Sequence, residues 1–292
     1  MLKKVHNESA RSGAEATTRA ATTFVDLATA VASIADGSRV AISKIEPMDA
    51  ARALALSGRR DLALVAVPTA GFAADLLVAV GAVGSIETGA ITLPGHGGSP
   101  AASRALAEKR LRRIESACPL LELQIQAGAL GLPFTPVPHV LGSEVVSSRD
   151  DLRVIDDPFG SGDRIVVAPA LRPDVALIHG LRADFDGNVV VSALGEDRLL
   201  ARAAHVTIVT VEEIRADATA RTADDEIVVP SIFVTAIAPA PGGTWPVADA
   251  RGDGADAAGI AAHLAASRSA TPATAHLALA AERLEATHRR PR

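Results

Sequence analysis

The sequence predicts an α/β fold: an open, mostly parallel sheet with helices on both faces. Two observations carry that prediction. Short, largely apolar runs recur at 62–67, 175–178 and 206–211, the second without a polar break, which is how strands covered on both faces read. Segments with apolar residues at helical spacing separate these runs, and strands alternating with helices favour parallel pairing through crossover helices. Hydrophobic residues make up 48% of the chain and aromatics only 2%, with no Tyr, so the core must come from Ala, Val, Leu and Ile.

The elements follow in order. Residues 1–22 are polar and are expected to form a flexible arm, with 23–292 as a single domain. Phe24, Leu27, Val31 and Ile34 recur at helical spacing, and Asp36-Gly37 ends that helix. A strand at 39–43, a helix at 48–57 opened by Pro47, and a strand at 62–67 ended by Pro68 come next. A helix at 72–80 closes at Gly81, and a strand follows at 83–86. After a glycine-rich segment (Gly89, Gly95, Gly97, Gly98), a basic helix is expected over 100–113. A second helix runs over 120–129, ended by Gly131 and Pro133. Residues 134–163 are rich in Pro, Gly, Ser and Asp and read as long loops, an excursion of the kind used for function or an interface. Buried strands are expected at 165–168, 175–178 and 206–211, with a helix at 196–204. A strand at 232–237 precedes Ala-rich helices at 256–266 and 272–286, the second opened by Thr271 and Pro272.

Composition excludes several functions. The net charge of -5 and the shortage of aromatics disfavour nucleic-acid binding. Cys118 is the one cysteine, so no internal disulfide or Cys-rich metal site is possible. It is expected as a small buried hydrophobe. No apolar run approaches the ~20 residues of a membrane span, and the N-terminus has no apolar signal segment. A soluble cytoplasmic protein is the expectation. The absence of G-x-G-x-x-G after the first strand and of G-x-x-x-x-G-K-[ST] speaks against dinucleotides and ATP as ligands.

Several motifs in order resemble the class I coenzyme A transferases, in particular the α subunit of the glutaconate CoA-transferase type. They are DAARAL at 49–54, DLALV at 61–65, GAVGSI at 81–86, QAGALGLPF at 126–134, PALRPDVALIH at 169–179, ADFDGN at 183–188, VEE at 211–213 and APGGTWP at 240–246. The resemblance implies a Rossmann-like CoA-transferase fold and a coenzyme A thioester as substrate, with no permanently bound cofactor and no metal. In that chemistry a glutamate attacks the thioester to give an acyl-glutamyl anhydride, and CoA returns to give a glutamyl-CoA thioester. The glutamate sits on the β-type partner of a hetero-oligomer such as α2β2, so this chain is implied to be inactive alone. The α side supplies glycine-rich backbone as oxyanion donors. This sequence departs from that pattern: after the first strand it carries Ser43-Lys44-Ile45-Glu46-Pro47 instead of a Gly-Gly-Phe-Gly loop. Some relatives are CoA-thioester hydrolases that open steroid-derived rings, so transfer, hydrolysis and a degenerate scaffold role all stay open.

The candidate residues follow. Glu87 stands in a Glu-x-Gly after a strand, as the partner's nucleophile does in the family, and Glu115 lies where relatives carry an acid lining the acyl pocket. Both are catalytic candidates. Ser43, Gly89, His96, Gly97, Gly98 and Gln126 are candidates for substrate or CoA binding; Gly97-Gly98 could form an anion nest. Lys109, Arg110, Arg112 and Arg113 would steer CoA phosphates, or simply be a solvated face. His179 reads as a satisfied buried histidine. Asp184, Asp186 and Asn188 read as a turn, because the other ligands of a calcium loop are missing.

Overall fold

The computed structural model describes residues 22–138, 140–249 and 251–288. The expected N-terminal arm lies outside the described residues except for Thr22, whose hydroxyl sits 3.0 Å from Ser231 O and 2.9 Å from Val234 O.

Strand β1 (Thr23–Phe24) and helix α1 (Leu27–Ala32) come first. The helix expected from Phe24 therefore starts later. Asp26 sets its start, because its carboxylate accepts the Thr29 N–H at 2.8 Å, a local cap. Strand β2 (Arg39–Ile42), helix α2 (Met48–Leu56), strand β3 (Leu62–Ala66), helix α3 (Phe72–Ala79) and strand β4 (Val83–Thr88) fall where the pattern placed them. The glycine-rich segment forms a small hairpin, β5 (Thr92–Leu93) and β6 (Gly97–Gly98).

Helix α4 (Pro100–Ala107) is capped by Ser99, which accepts the Ala102 N–H at 2.9 Å. The basic helix expected over 100–113 stops here. Lys109 takes a left-handed conformation, φ 57°, and the chain turns into strand β7 (Arg112–Glu115). Helix α5 (Cys118–Ala129) follows. Cys118 is exposed at its start, not buried as expected.

The excursion expected as loops is partly regular. Strands β8 (Phe134–Val137), β9 (Arg153–Asp156) and β10 (Arg164–Pro169) make a three-stranded antiparallel sheet in the order β8-β10-β9. Helix α6 (Glu144–Ser148) lies between the first two. Leu120, Val137, Val140, Leu152, Val166 and Ala168 give this unit its own core. The strand expected at 165–168 thus belongs to the small sheet.

The main sheet resumes with β11 (Val175–Ala183), β12 (Val189–Ser192), helix α7 (Asp197–Ala203), β13 (Val206–Ile214) and β14 (Glu226–Val229). The strand expected at 232–237 begins later: a single 3-10 turn at Ser231–Phe233 follows Pro230, and β15 (Ala236–Pro239) comes after it. Helices α8 (Ala257–Arg268) and α9 (Pro272–His288) end the described chain.

Eight strands run in the order β1-β15-β13-β11-β2-β3-β4-β7, with β12 and β14 continuing from β11. Every pairing along that path is parallel; β12 is antiparallel to β11, and β14 to β12. Alternate residues of each strand point to opposite faces. Leu64, Leu177 and Ile208 pack under α1, α2, α3 and α4, while Val65, Ile178 and Val209 pack under α5 and α7. Both faces are therefore covered, which is why these strands read as largely apolar runs.

Candidate active site

Strand order reverses at β2. From it the chain steps outward through β3, β4 and β7, and returns on the other side through β11, β13 and β15. In open α/β sheets ligands bind outside the carboxyl ends of the strands at such a switch point. The loop 43–47 leaves β2 there, meeting the turn after β3 at Gly71 and Ala73 and β11 at Leu177, whose carbonyl accepts the Ser43 N–H at 3.3 Å.

Two carboxyls flank that loop. On one side is Glu46. Its Oε2 accepts the Ala73 N–H at 2.5 Å, and a Cβ on Gly71 would overlap its carboxylate. Glu46 thus caps α3 from outside the helix, where Gly71 has no side chain to do so. Removal from water pushes its pKa up to about 7, against the lowering effect of the Ala73 and Phe72 N–H groups and with help from Asp75. On the other side is Asp197, which is fully buried, with neither carboxyl oxygen hydrogen-bonded. Burial pushes it up to about 7 as well, with Ser43 opposing and Glu196 assisting. Ser43 has one hydroxyl proton and gives it to Ile45 O at 2.8 Å, so its help to Asp197 is weak. Two acids poised near neutrality are groups that can hold or deliver a proton at working pH.

The turn after β4 is narrow. A Cβ on Gly89 would stand 3.2 Å from Pro68 O and 3.3 Å from the Cys118 Sγ, so glycine keeps the backbone approachable there. Cys118 opens α5 within this corner. Glu87, at the end of β4, is buried and occupied: Arg149 Nη1 lies 2.6 Å from its Oε1. Arg149 also holds Asp151 Oδ2 at 2.7 Å and donates to Glu115 O at 3.3 Å. The small-sheet excursion therefore reaches back and locks onto the carboxyl end of the main sheet.

At β11 and β13, His179 is buried with both ring nitrogens engaged: Nδ1 is 2.9 Å from Thr210 Oγ1 and Nε2 2.8 Å from Glu212 Oε1. Glu212 also accepts the Gly242 N–H at 2.6 Å. Burial would raise Glu212, but His179 and the Gly242 and Gly243 N–H groups outweigh it and hold its carboxyl below the usual range. A Cβ on Gly243 would come within 2.9 Å of His179 Cε1, so the Gly-Gly of APGGTWP is a packing requirement.

The expected residues scatter. Ser43, Glu87 and Gly89 lie at the carboxyl ends of β2 and β4. Glu115, at the end of β7, is exposed and pairs with Arg113 at 3.0 Å. Gln126 is exposed along α5, whereas Gln124 is buried and donates to Pro169 O at 3.0 Å. His96, Gly97 and Gly98 occupy the exposed β5–β6 hairpin, with open space around both glycines. Lys109, Arg110, Arg112 and Arg113 are exposed. The Asp184 turn is self-contained: its carboxylate accepts from the Asp186 and Asn188 N–H groups at 3.0 and 2.8 Å and from Thr219 Oγ1 at 2.9 Å. Sequence reasoning passed over Glu46, Arg149, Asp197 and Glu212. Glu46 alone carried a usable signal, an acid between a strand end and a helix start.

The coenzyme A transferase family profile matches residues 24–240. The chain belongs to the coenzyme A transferase family. It is 33% identical over 219 residues to a 3-oxoadipate CoA-transferase subunit of Pseudomonas knackmussii, covering 72% of this chain and 76% of the relative. Among solved structures, a variant of the decarboxylase AibA/AibB superposes with a TM-score of 0.78 at 31% identity, over 89% of this chain and 98% of the other. Glutaconate coenzyme A-transferase from Acidaminococcus fermentans superposes with a TM-score of 0.74 at 26% identity, over 89% and 87%. Membership confirms the expected fold and an α-subunit-like CoA-transferase chain. No helix among the described residues is long and apolar enough to cross a membrane.

Proposed function

We propose that this chain is the α-like half of a two-chain acyl-CoA transferase or CoA-thioester hydrolase, working in the cytoplasm and inactive without a β-type partner that carries the nucleophilic glutamate. The observation that supports this best is the state of the chain's own acids. Glu87 is locked by Arg149 at 2.6 Å, Glu46 is pressed against the start of α3, and Glu115 is exposed and paired. What the carboxyl ends offer a thioester is backbone: the close-packed turn at Gly89, with Pro68 and Cys118 against it.

In the reaction the partner's carboxylate attacks the thioester carbonyl, and N–H donors stabilise the oxyanion. The C–S bond breaks, CoA leaves as thiolate, and the acyl-glutamyl anhydride remains. The thiolate then attacks the glutamyl carbonyl and expels the acyl group as its carboxylate. An acceptor carboxylate completes a transfer, and water completes a hydrolysis. Lys109, Arg110, Arg112 and Arg113 would draw in the CoA phosphates, and the small-sheet excursion, on which Arg149 follows α6, would contribute to the subunit contact. No permanently bound cofactor is required.

A second reading has its own support. Lys44, Ile45 and Glu46 stand where the family places a glycine loop, which suits a catalytically degenerate binding or scaffold subunit. Acyl-CoA turnover is the test, measured for this chain alone, with its co-purifying β-type partner, and by calorimetry with CoA. Turnover only with the partner supports the first reading. CoA binding without turnover, or no CoA binding at all, supports the second. Turnover by this chain alone overturns both.

A further inference from the structure

On α3, two residues beyond the Glu46 contact at Ala73, three metal-ligating side chains converge. Asp75 comes from α3, His263 from α8 and His276 from α9, and all are buried. Their ligand atoms lie within 4.8 Å of one another. Asp75 is oriented by its surroundings: Oδ1 accepts from Ser99 Oγ and from the Ala101 N–H at 3.1 Å. Its Oδ2 is left facing His263 Nε2 at 2.9 Å and Ser267 Oγ. Ser267 Oγ in turn lies 2.8 Å from His276 Nε2. One carboxylate oxygen anchored by outer partners, with the other facing the His263 imidazole and, across Ser267 Oγ, the His276 imidazole, is the arrangement that supporting hydrogen bonds impose on metal ligands.

Two further features fit. A cavity of about 20 Å³ opens beside both imidazoles, between Met48, Arg52 and Trp245, which is room for about one water. The two imidazole rings stand side by side, with centroids 4.6 Å apart at an interplanar angle of 67°, so both border the same small space. Arg52 lines the cavity, but Asp49 opposes its charge at 2.7 Å.

We propose that Asp75, His263 and His276 bind a divalent transition-metal ion. Two imidazoles and one carboxylate select zinc or cobalt over calcium or magnesium, which prefer all-oxygen sites. Ser267 Oγ or a water in the cavity completes a four-coordinate shell. Both histidines come from helices beyond the matched span 24–240, so the ion would staple the C-terminal helix pair onto α3. No local spacing in the sequence marks this cluster against the expectation of no metal, because Asp75 and His263 are 188 residues apart.

The test uses the full chain carrying Cys118→Ser, which removes the exposed thiol as a competing ligand, purified without a metal-affinity tag. Co²⁺ titration should give the intense visible bands of a four-coordinate ion at one equivalent, displaced by Zn²⁺. Saturating Zn²⁺ should raise Tm by about 5 °C or more, and EDTA should reverse it. His276→Gln and Asp75→Asn should each abolish the cobalt bands. If the unsubstituted triad gives no cobalt bands and Tm ignores Zn²⁺ and EDTA, the cluster is a hydrogen-bonded lock only and the proposal fails. Bands that survive in a folded His263→Gln/His276→Gln chain would place the ion elsewhere and also overturn it.

Discussion

Replacing Asp197 with Asn should flatten part of the protein's pH dependence. The carboxyl is fully buried with no hydrogen-bond partner on either oxygen, and burial moves its pKa from 3.8 to about 7. In this range the folded chain keeps a proton that the unfolded chain has released. The stabilising contribution is therefore complete below pH ~4 and disappears as pH rises through 7. The full displacement is worth about 4 kcal/mol, of which about 2–3 kcal/mol falls between pH 5 and pH 8. An amide has the same shape and never ionises. Its own unsatisfied burial costs the same at each pH, so the pH dependence isolates the charge. Urea unfolding of both proteins at pH 5, 6, 7 and 8 reads this out. The variant should gain about 2–3 kcal/mol on the parent across that range. A gap that stays constant from pH 5 to pH 8 would show that Asp197 is not a buried titrating acid.

Gly128→Ala should destabilise by about 1–3 kcal/mol in a urea titration, because a Cβ there would overlap Leu171 O and reach 3.0 Å from Leu171 C. Arg182→Met should cost about 2–4 kcal/mol near pH 7, since it removes the main partner of the buried Glu226 carboxylate and leaves it the Ala223 N–H at 3.1 Å and Arg251 at 3.7 Å; Arg182 holds that carboxylate through two contacts of 2.8 and 2.6 Å. Arg182 also pulls Glu226 down to about 2, so the difference should be full above pH 5 and shrink as pH falls toward 2, which acid unfolding followed by circular dichroism measures. The exposed Cys118 should react readily with iodoacetamide, and saturating CoA with the partner present should slow that labelling severalfold; an unchanged rate would remove the corner of Gly89 and Cys118 from the binding site.

Elements whose burial is symmetrical were legible in the sequence. Strands such as Leu62–Ala66 and Val175–Ile178 within β11 are covered on both faces, and unbroken apolar runs follow from that. Arg112–Glu115 was not legible, because an edge strand with exposed Arg112, Arg113 and Glu115 has neither alternation nor an apolar run. The small sheet was hidden for a related reason: its strands are four to six residues long and broken or ended by Pro136, Asp156 and Pro169. Within the site, the family motifs led to Ser43, Glu87 and Gly89, which do stand at strand ends. The partners that set the chemistry were out of reach. Arg149 meets Glu87 across 62 residues and Ser267 meets Asp75 across 192, and no local pattern marks such pairs. Asp197 looked like an ordinary first-turn helix acid until packing enclosed it.

The division of labour between this chain and its partner can be read directly from a covalent intermediate. The two-chain complex is mixed with acyl-CoA, quenched with borohydride, and both chains are mapped by mass spectrometry. A reduced glutamate on the partner, with Glu46, Glu87 and Glu115 of this chain unmodified, is the expected result. Reduction at Glu87, or at any acid of this chain in the partner's absence, would contradict it.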